Sequence, residues 1–161
     1  MRIERVNPSN DEKELERLRL YENRLEQNGI TDCFIGLDNS GNLRYVIKHC
    51  RTVRGMSTII VELYSERGIV AIGGGYNVNA DVALLKALEK LGLKMDKQEI
   101  EKANICSFSM GKDVDWYKHN LETLMNEVMF VLGCKKKIRV YKVTSFARNM
   151  NITLTDGFYY K

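Results

Sequence analysis

The spacing of apolar residues near the N-terminus predicts a helix over residues 10–27. Ser9 and Glu12 have the spacing of a capping box, and the leucines and the tyrosine that follow recur every three or four positions. The resulting apolar stripe is narrow, and most of the other positions are charged. This pattern is typical of a helix that lies on a sheet surface or that pairs with a copy of itself.

Residues 33–72 predict a four-stranded antiparallel meander. The segment contains two pairs of runs rich in β-branched and aromatic residues. Turn-forming residues separate the members of each pair, at positions 39–42 in the first pair and 65–68 in the second. Each pair therefore predicts a hairpin, and together the two hairpins predict the meander.

Helices dominate the next part of the chain. Asn79 is placed to cap a helix that ends at Leu91, a short helix follows over residues 96–104, and a longer helix covers residues 113–132. Two strands, over residues 136–146 and 151–160, complete the chain. This order predicts one globular α+β domain, residues 1–161, with an N-terminal helix, an antiparallel β-meander, two to three helices packed on the sheet and two C-terminal strands.

Composition narrows the class of protein. The chain has 161 residues, of which 44% are hydrophobic and 29% are charged, and these proportions are typical of an ordered domain. No apolar run approaches the roughly 20 residues of a membrane-spanning helix, and the charged N-terminus lacks the apolar core of a signal peptide. We therefore expect a cytoplasmic protein without a membrane segment. The four cysteines are widely spaced, so we expect free thiols, no metal site and no cofactor.

Positive charge is concentrated in residues 42–55 and 135–148, which hold four and six Lys or Arg residues and no acid. The whole chain carries +4, so the rest carries 4 − 10 = −6. A basic β-surface attracts phosphates, and interleaved aromatic rings favour base stacking. Lysines that protect strand edges or complement a helix C-terminus explain the same pattern without a ligand. The candidate ligand residues in these segments are Lys48, Arg51, Arg54, Tyr141, Lys142 and Arg148.

Three consecutive glycines stand between an apolar run and the helix capped by Asn79. They predict a strand-to-helix hinge, which serves either as a connection alone or as a cradle for an anion at the start of the helix. Neither the P-loop nor the dinucleotide-binding pattern is complete, because Tyr-Asn-Val-Asn follows Gly75. The candidate ligand residues here are Gly73, Gly74, Gly75, Tyr76, Asn77 and Asn79.

No nucleophile adjoins a base in the sequence. His49 and Cys50 are neighbours on a predicted strand, so their side chains point to opposite faces. We therefore expect no catalytic residues, and a small enzyme is the less favoured interpretation.

The favoured interpretation is a non-catalytic protein that binds a phosphate-bearing ligand. That ligand would be a nucleotide or a nucleotide-derived signal, which a homo-oligomer, dimer or larger, sequesters or senses in the manner of a phage accessory protein. One alternative is a nucleic-acid-binding protein that uses the same basic β-surface. The other is an oligomerising protein-interaction module.

Overall fold

The computed structural model describes residues 3–6, 12–30, 32–52, 54–96, 114–146, 152–154 and 159–160. These ranges contain three helices, α1 (Glu12–Asn28), α2 (Ala80–Glu89) and α3 (Val114–Val131). They also contain nine strands, which are β1 (Ile3–Arg5), β2 (Asp32–Asp38), β3 (Leu43–Arg51), β4 (Ser57–Ser65), β5 (Gly68–Asn77), β6 (Leu93–Met95), β7 (Ile138–Phe146), β8 (Ile152–Leu154) and β9 (Tyr159–Tyr160).

Seven strands form one antiparallel sheet in the order β5-β4-β3-β2-β7-β8-β9, and β1 pairs with β6 in a separate ribbon. The predicted α+β fold is confirmed, with its N-terminal helix, its meander and its C-terminal strands. The last predicted strand is divided into β8 and β9. The predicted short helix over residues 96–104 lies, apart from Asp96, outside the described residues.

One face of the sheet is covered by α2 and α3. The strands bury large side chains on this face, among them Tyr45 and Ile47 of β3, which pack with Leu88 of α2 and Leu124 of α3 in one core cluster. Alternation along β3 sends every second side chain to this face. We call it the helix-covered face.

The opposite face carries α1, which packs on β3, β4 and β5. Leu25 of α1 is buried there together with Cys50 and Ile60 of the sheet. Leu25 is the one residue of this helix that is fully buried, as expected from a narrow apolar stripe. The prediction that the first helix lies on a sheet surface is thus confirmed.

The glycine triplet lies within β5, which continues to Asn77, so the prediction that these glycines form the strand-to-helix hinge is wrong. Gly73, Gly74 and Gly75 are paired with residues of β4. A Cβ atom at 73 or 75 would overlap a backbone carbonyl oxygen of α2, and one at 74 would meet the Tyr21 ring of α1. Glycine is required here because helices approach both faces of the strand closely.

An ion pair joins the two helices around the outer edge of β5. Lys90 Nζ, at the C-cap of α2, lies 2.7 Å from Glu14 Oε1 on α1. Because α1 and α2 lie on opposite faces, this contact passes around the edge strand beside Gly73 and Gly74. The pair therefore covers part of a strand edge that would otherwise be open to pairing.

Candidate functional site

Polar residues from neighbouring strands meet at one end of the helix-covered face. Ser57 on β4 lies directly across from Arg51 on β3 and from Asn77 on β5. His49 lies across from Asp32 on β2. Directly paired residues share a face of the sheet, and so do residues two apart on one strand. We call this group, together with Lys142 of β7, the polar end of the sheet.

A hydrogen-bonded chain crosses β4, β3 and β2 within the polar end. Ser57 Oγ lies 3.0 Å from His49 Nε2, and His49 Nδ1 lies 3.2 Å from Asp32 Oδ2. Both His49 and Ser57 are buried. A carboxylate only accepts hydrogen bonds, so when the imidazole is neutral its proton is on Nδ1, facing Asp32, and Nε2 accepts from the Ser57 hydroxyl.

The carboxylate of Asp32 is ionised at neutral pH. Its hydrogen bond with His49 is the main cause of a lowered pKa, burial acts in the opposite direction, and the positive charge of Lys142 adds to the lowering. Lys142 Nζ lies 3.4 Å from Asp32 Oδ1. Each carboxylate oxygen thus has a partner, so the carboxylate is fixed towards His49.

The sequence pattern did not identify Asp32, His49 and Ser57 as a group. Alternation correctly separates His49 from Cys50, which packs beneath α1 on the opposite face. The register that unites the three residues depends on two turns, however, and no local motif records it. The available signal is that all three are polar residues within predicted strands or at their ends.

The two basic segments lie on β3 and β7, which flank β2 without pairing with each other. Several of their cations contact carboxylates of the protein itself, at N–O distances of 2.9 Å for Arg44 with Asp38, 3.1 Å for Lys48 with Glu62 and 3.4 Å for Lys142 with Asp32. Lys48 and Glu62 lie on the face opposite the polar end. Part of the positive charge therefore neutralises acids within the fold.

Besides Lys142, four predicted ligand residues lie at or beside the polar end. Arg51 is exposed at the end of β3, and Arg54 is exposed in the turn that leads into β4. Asn79 caps α2 by accepting a hydrogen bond from the Asp81 amide at 2.8 Å. Asn77 accepts one from the Asn79 amide at 2.9 Å. The end of β3 and the start of α2 are thus close to the same sheet end.

The two tyrosines predicted as ligand residues pack against other residues of the fold. The Tyr76 ring stacks on Tyr21, with centroids 6.1 Å apart, and the Arg24 guanidinium lies 4.1 Å from its centroid. Tyr141 packs against a buried cluster around Ile35 on the face opposite the polar end. Arg148 lies outside the described residues. The geometry therefore brings Arg51, Arg54, Asn77 and Asn79 to one end of the sheet, and it directs the two tyrosines elsewhere.

Comparisons with protein-family models, with curated proteins and with solved structures find no match to this chain. Within the described ranges, none of the helices has both the length and the apolar character needed to cross a bilayer. The same residues contain no group of three or more His, Cys, Asp or Glu side chains that could hold a metal ion. The indication of function comes from the chemistry of the polar end.

Proposed function

We propose that the protein binds a phosphate-bearing ligand at the polar end, with a nucleotide or a nucleotide-derived signal as the first candidate. The observation that carries this proposal is the position of Arg51, which is exposed and lies across from Ser57, whose other neighbour is Asn77 at the end of β5. Arg54 is exposed in the adjoining turn. A guanidinium group presents parallel N–H donors that match the oxygens of a phosphate.

The start of α2 supports the same location. Strand β5 ends at Asn77 and α2 begins at Ala80, so the positive end of the helix dipole is close to the polar end. Asp81 in the first turn opposes an anion there. The arginines must therefore supply most of the attraction, and the helix start contributes backbone donors.

In this proposal the protein is a cytoplasmic homo-oligomer, dimer or larger, that sequesters or senses its ligand without converting it. Gly73, Gly74 and Gly75 contribute indirectly, since they bring α2 close to β5. Lys142 acts from the neighbouring strand while it remains paired with Asp32. Lys48 does not take part, because it lies on the opposite face with Glu62.

Native mass spectrometry followed by calorimetry with a panel of nucleoside phosphates and cyclic dinucleotides tests the proposal. We expect a bound small molecule that absorbs at 260 nm and is released on denaturation. A charge-assisted hydrogen bond contributes about 1.5–3 kcal/mol, so Arg51→Ala and Arg54→Ala should each weaken binding by about 10-fold to 100-fold. Arg67→Ala is the matched control, because Arg67 is exposed in the turn at the other end of β4.

Three outcomes would contradict the proposed binding site. Unchanged affinity in the Arg51→Ala/Arg54→Ala double variant would remove the polar end as the binding site. Binding that strengthens with oligonucleotide length and weakens steeply with salt would instead favour the nucleic-acid-binding alternative. A defined oligomer that binds neither kind of ligand would favour the protein-interaction alternative.

A further inference from the structure

We propose that Ser57 is a nucleophile, that His49 is its general base, and that the protein hydrolyses small carboxylic esters at this serine. The three polar residues are arranged as such chemistry requires. The Ser57 hydroxyl is within hydrogen-bond distance of Nε2 of His49, and the Asp32 carboxylate is within hydrogen-bond distance of Nδ1 of the same ring. Distances of 3.0 Å and 3.2 Å allow proton transfer and orientation of the ring. This activity shares the polar end with the proposed phosphate site, but it depends on Ser57 and His49, which that site does not require.

The scaffold holds this arrangement on rigid elements. Asp32, His49 and Ser57 occupy three adjacent strands that pair in regular register around these residues. Lys142 contacts the carboxylate oxygen that His49 does not use. Asp32 therefore acts as a positioning residue that selects one tautomer of His49 and stabilises the imidazolium formed during reaction.

The reaction balances with water as the only co-reactant. Ser57 Oγ attacks the carbonyl carbon of the ester while its proton passes to His49 Nε2. The bond from the carbonyl carbon to the alcohol oxygen breaks, and that oxygen takes the proton from Nε2. Water then attacks the acyl-serine and gives a proton to Nε2, and this proton returns to Ser57 Oγ as the carboxylic acid leaves.

The neighbours of Ser57 define the approach and the substrate class. Ser57 has no exposed surface, but it is the first residue of β4, and Arg51 directly across from it is exposed. In this proposal a substrate approaches Oγ past Arg51 and half-buried Asn77, the two residues that pair with Ser57. The amide oxygen of Asn77 accepts from the Asn79 backbone, so the Asn77 NH₂ group, directly across from Ser57, is the donor for the developing oxyanion. This narrow approach favours small esters.

Reactivity distinguishes this proposal from a hydrogen-bonded chain that only supports the fold. A purely structural chain would show the same distances, and it would leave Ser57 no more reactive than Ser65 at the other end of β4. The full-length protein should be treated with phenylmethanesulfonyl fluoride and with a small alkyl fluorophosphonate. Intact mass and peptide mapping then locate any adduct.

We expect one adduct, on Ser57, in the folded protein and none after unfolding in urea. General base catalysis contributes about 10²-fold to 10⁴-fold, so His49→Gln should slow labelling by at least about 10²-fold. Ser65→Ala should label at the rate of the natural sequence. Ser57→Ala should lose both the adduct and the hydrolysis of p-nitrophenyl acetate.

Asp32→Asn provides a spectroscopic test of the positioning role. With Asp32 present, ¹⁵N NMR of the imidazole should show the proton on Nδ1. An amide at position 32 can donate to Nδ1, which moves the proton to Nε2 and should slow labelling. The chain has two histidines, and His119→Gln identifies the signals of His49.

Three results would overturn the proposal. The first is the absence of an adduct on Ser57 in the folded natural protein, which requires no variant to fold. The second is labelling at equal rates in the folded and the unfolded protein. The third is a labelling rate that His49→Gln leaves unchanged while the variant keeps the circular dichroism spectrum of the natural protein.

Discussion

Replacing Gly75 by alanine tests how closely α2 packs on the edge strand of the sheet. A Cβ atom at position 75 would overlap the carbonyl oxygen of Ala83 and lie 2.9 Å from the Ala87 nitrogen. Both contacts are with the backbone of α2, so no side-chain rotation relieves them. The helix must therefore move away from β5.

The expected cost follows from two opposing effects. Overpacking of a filled core costs about 1–3 kcal/mol, and a shift of α2 disturbs buried Leu84 and Leu88, which places this case near the upper limit. Alanine restricts the unfolded chain more than glycine does, which offsets about 0.4–1 kcal/mol. We expect a net destabilisation of about 2 kcal/mol. For a chain of this length that corresponds to a fall in Tm of about 4–8 °C.

Gly74→Ala is the matched control on the same strand. Its Cβ would approach the Tyr21 ring of α1 on the opposite face, at 2.5 Å from Cδ2. Truncation of that ring should relieve the contact, so the cost of Gly74→Ala should fall when Tyr21→Ala is also present. The cost of Gly75→Ala should stay the same in that background. Urea unfolding followed by circular dichroism gives the free energies of unfolding for both double-mutant cycles.

Two results would refute this reasoning. If Gly75→Ala unfolds at the same urea concentration as the natural protein, α2 does not contact the backbone of β5 as closely as described. If Tyr21→Ala reduces the cost of Gly75→Ala as much as it reduces the cost of Gly74→Ala, the alternation of faces along β5 is not as described. Either result would require a different arrangement of the two helices around this edge.

Two further predictions concern buried polar groups. The Tyr45 hydroxyl is buried without a hydrogen-bond partner in the part of the chain that the structure describes. Tyr45→Phe should therefore leave the free energy of unfolding unchanged or raise it by about 1 kcal/mol. A lower free energy of unfolding in urea would reveal a partner. Burial opposes ionisation of Asp38, but hydrogen bonds from Asn42, Arg44 and Ser40 outweigh it and lower its pKa. A folded-state pKa below the unfolded value means that this stabilisation is present above about pH 4 and is lost as pH falls through the folded-state pKa. Urea titrations should therefore show that the free energy of unfolding falls more between pH 5 and pH 3 in the natural protein than in Asp38→Asn. Equal decreases in the two proteins would contradict the assignment.

Local sequence was sufficient for the elements whose signals are local. The meander follows from clear alternation interrupted by polar turns, and both hairpin turns occur where the sequence predicts them. The ribbon of β1 and β6 has no such signal, because strands of three residues are too short for alternation to be recognised. Ile3 is paired with Met95, more than ninety positions away, and only the folded core brings them together.

The glycine triplet shows how tertiary contacts override a local preference. Consecutive glycines favour a turn, since they tolerate backbone conformations that other residues avoid. In the fold they instead remove side-chain volume from an extended strand that has helices on both faces. The deciding contacts come from Ala83, Ala87 and Tyr21, and their proximity to the triplet is not recorded in the local pattern.

Charge counting failed in part for a similar reason. Arg44, Lys48 and Lys142 contribute to the apparent basic surface, yet each contacts a carboxylate. Asp38 is six positions from Arg44, whereas Glu62 and Asp32, which partner the two lysines, are farther away along the chain. Counting charge along the chain identifies where cations are concentrated. It does not show which cations the fold has already neutralised.

The polar end depends most strictly on register. His49 is 17 positions from Asp32 and 8 from Ser57, so the hydrogen-bonded chain exists only because each hairpin brings the right pair into alignment. A slip of one residue in either hairpin would move one member of the chain to the opposite face. The connections from β2 to β3 and from β3 to β4 therefore determine the chemistry of the polar end as well as the path of the meander. A site of this kind can be found only after strand pairing is known, even when every strand has been predicted correctly.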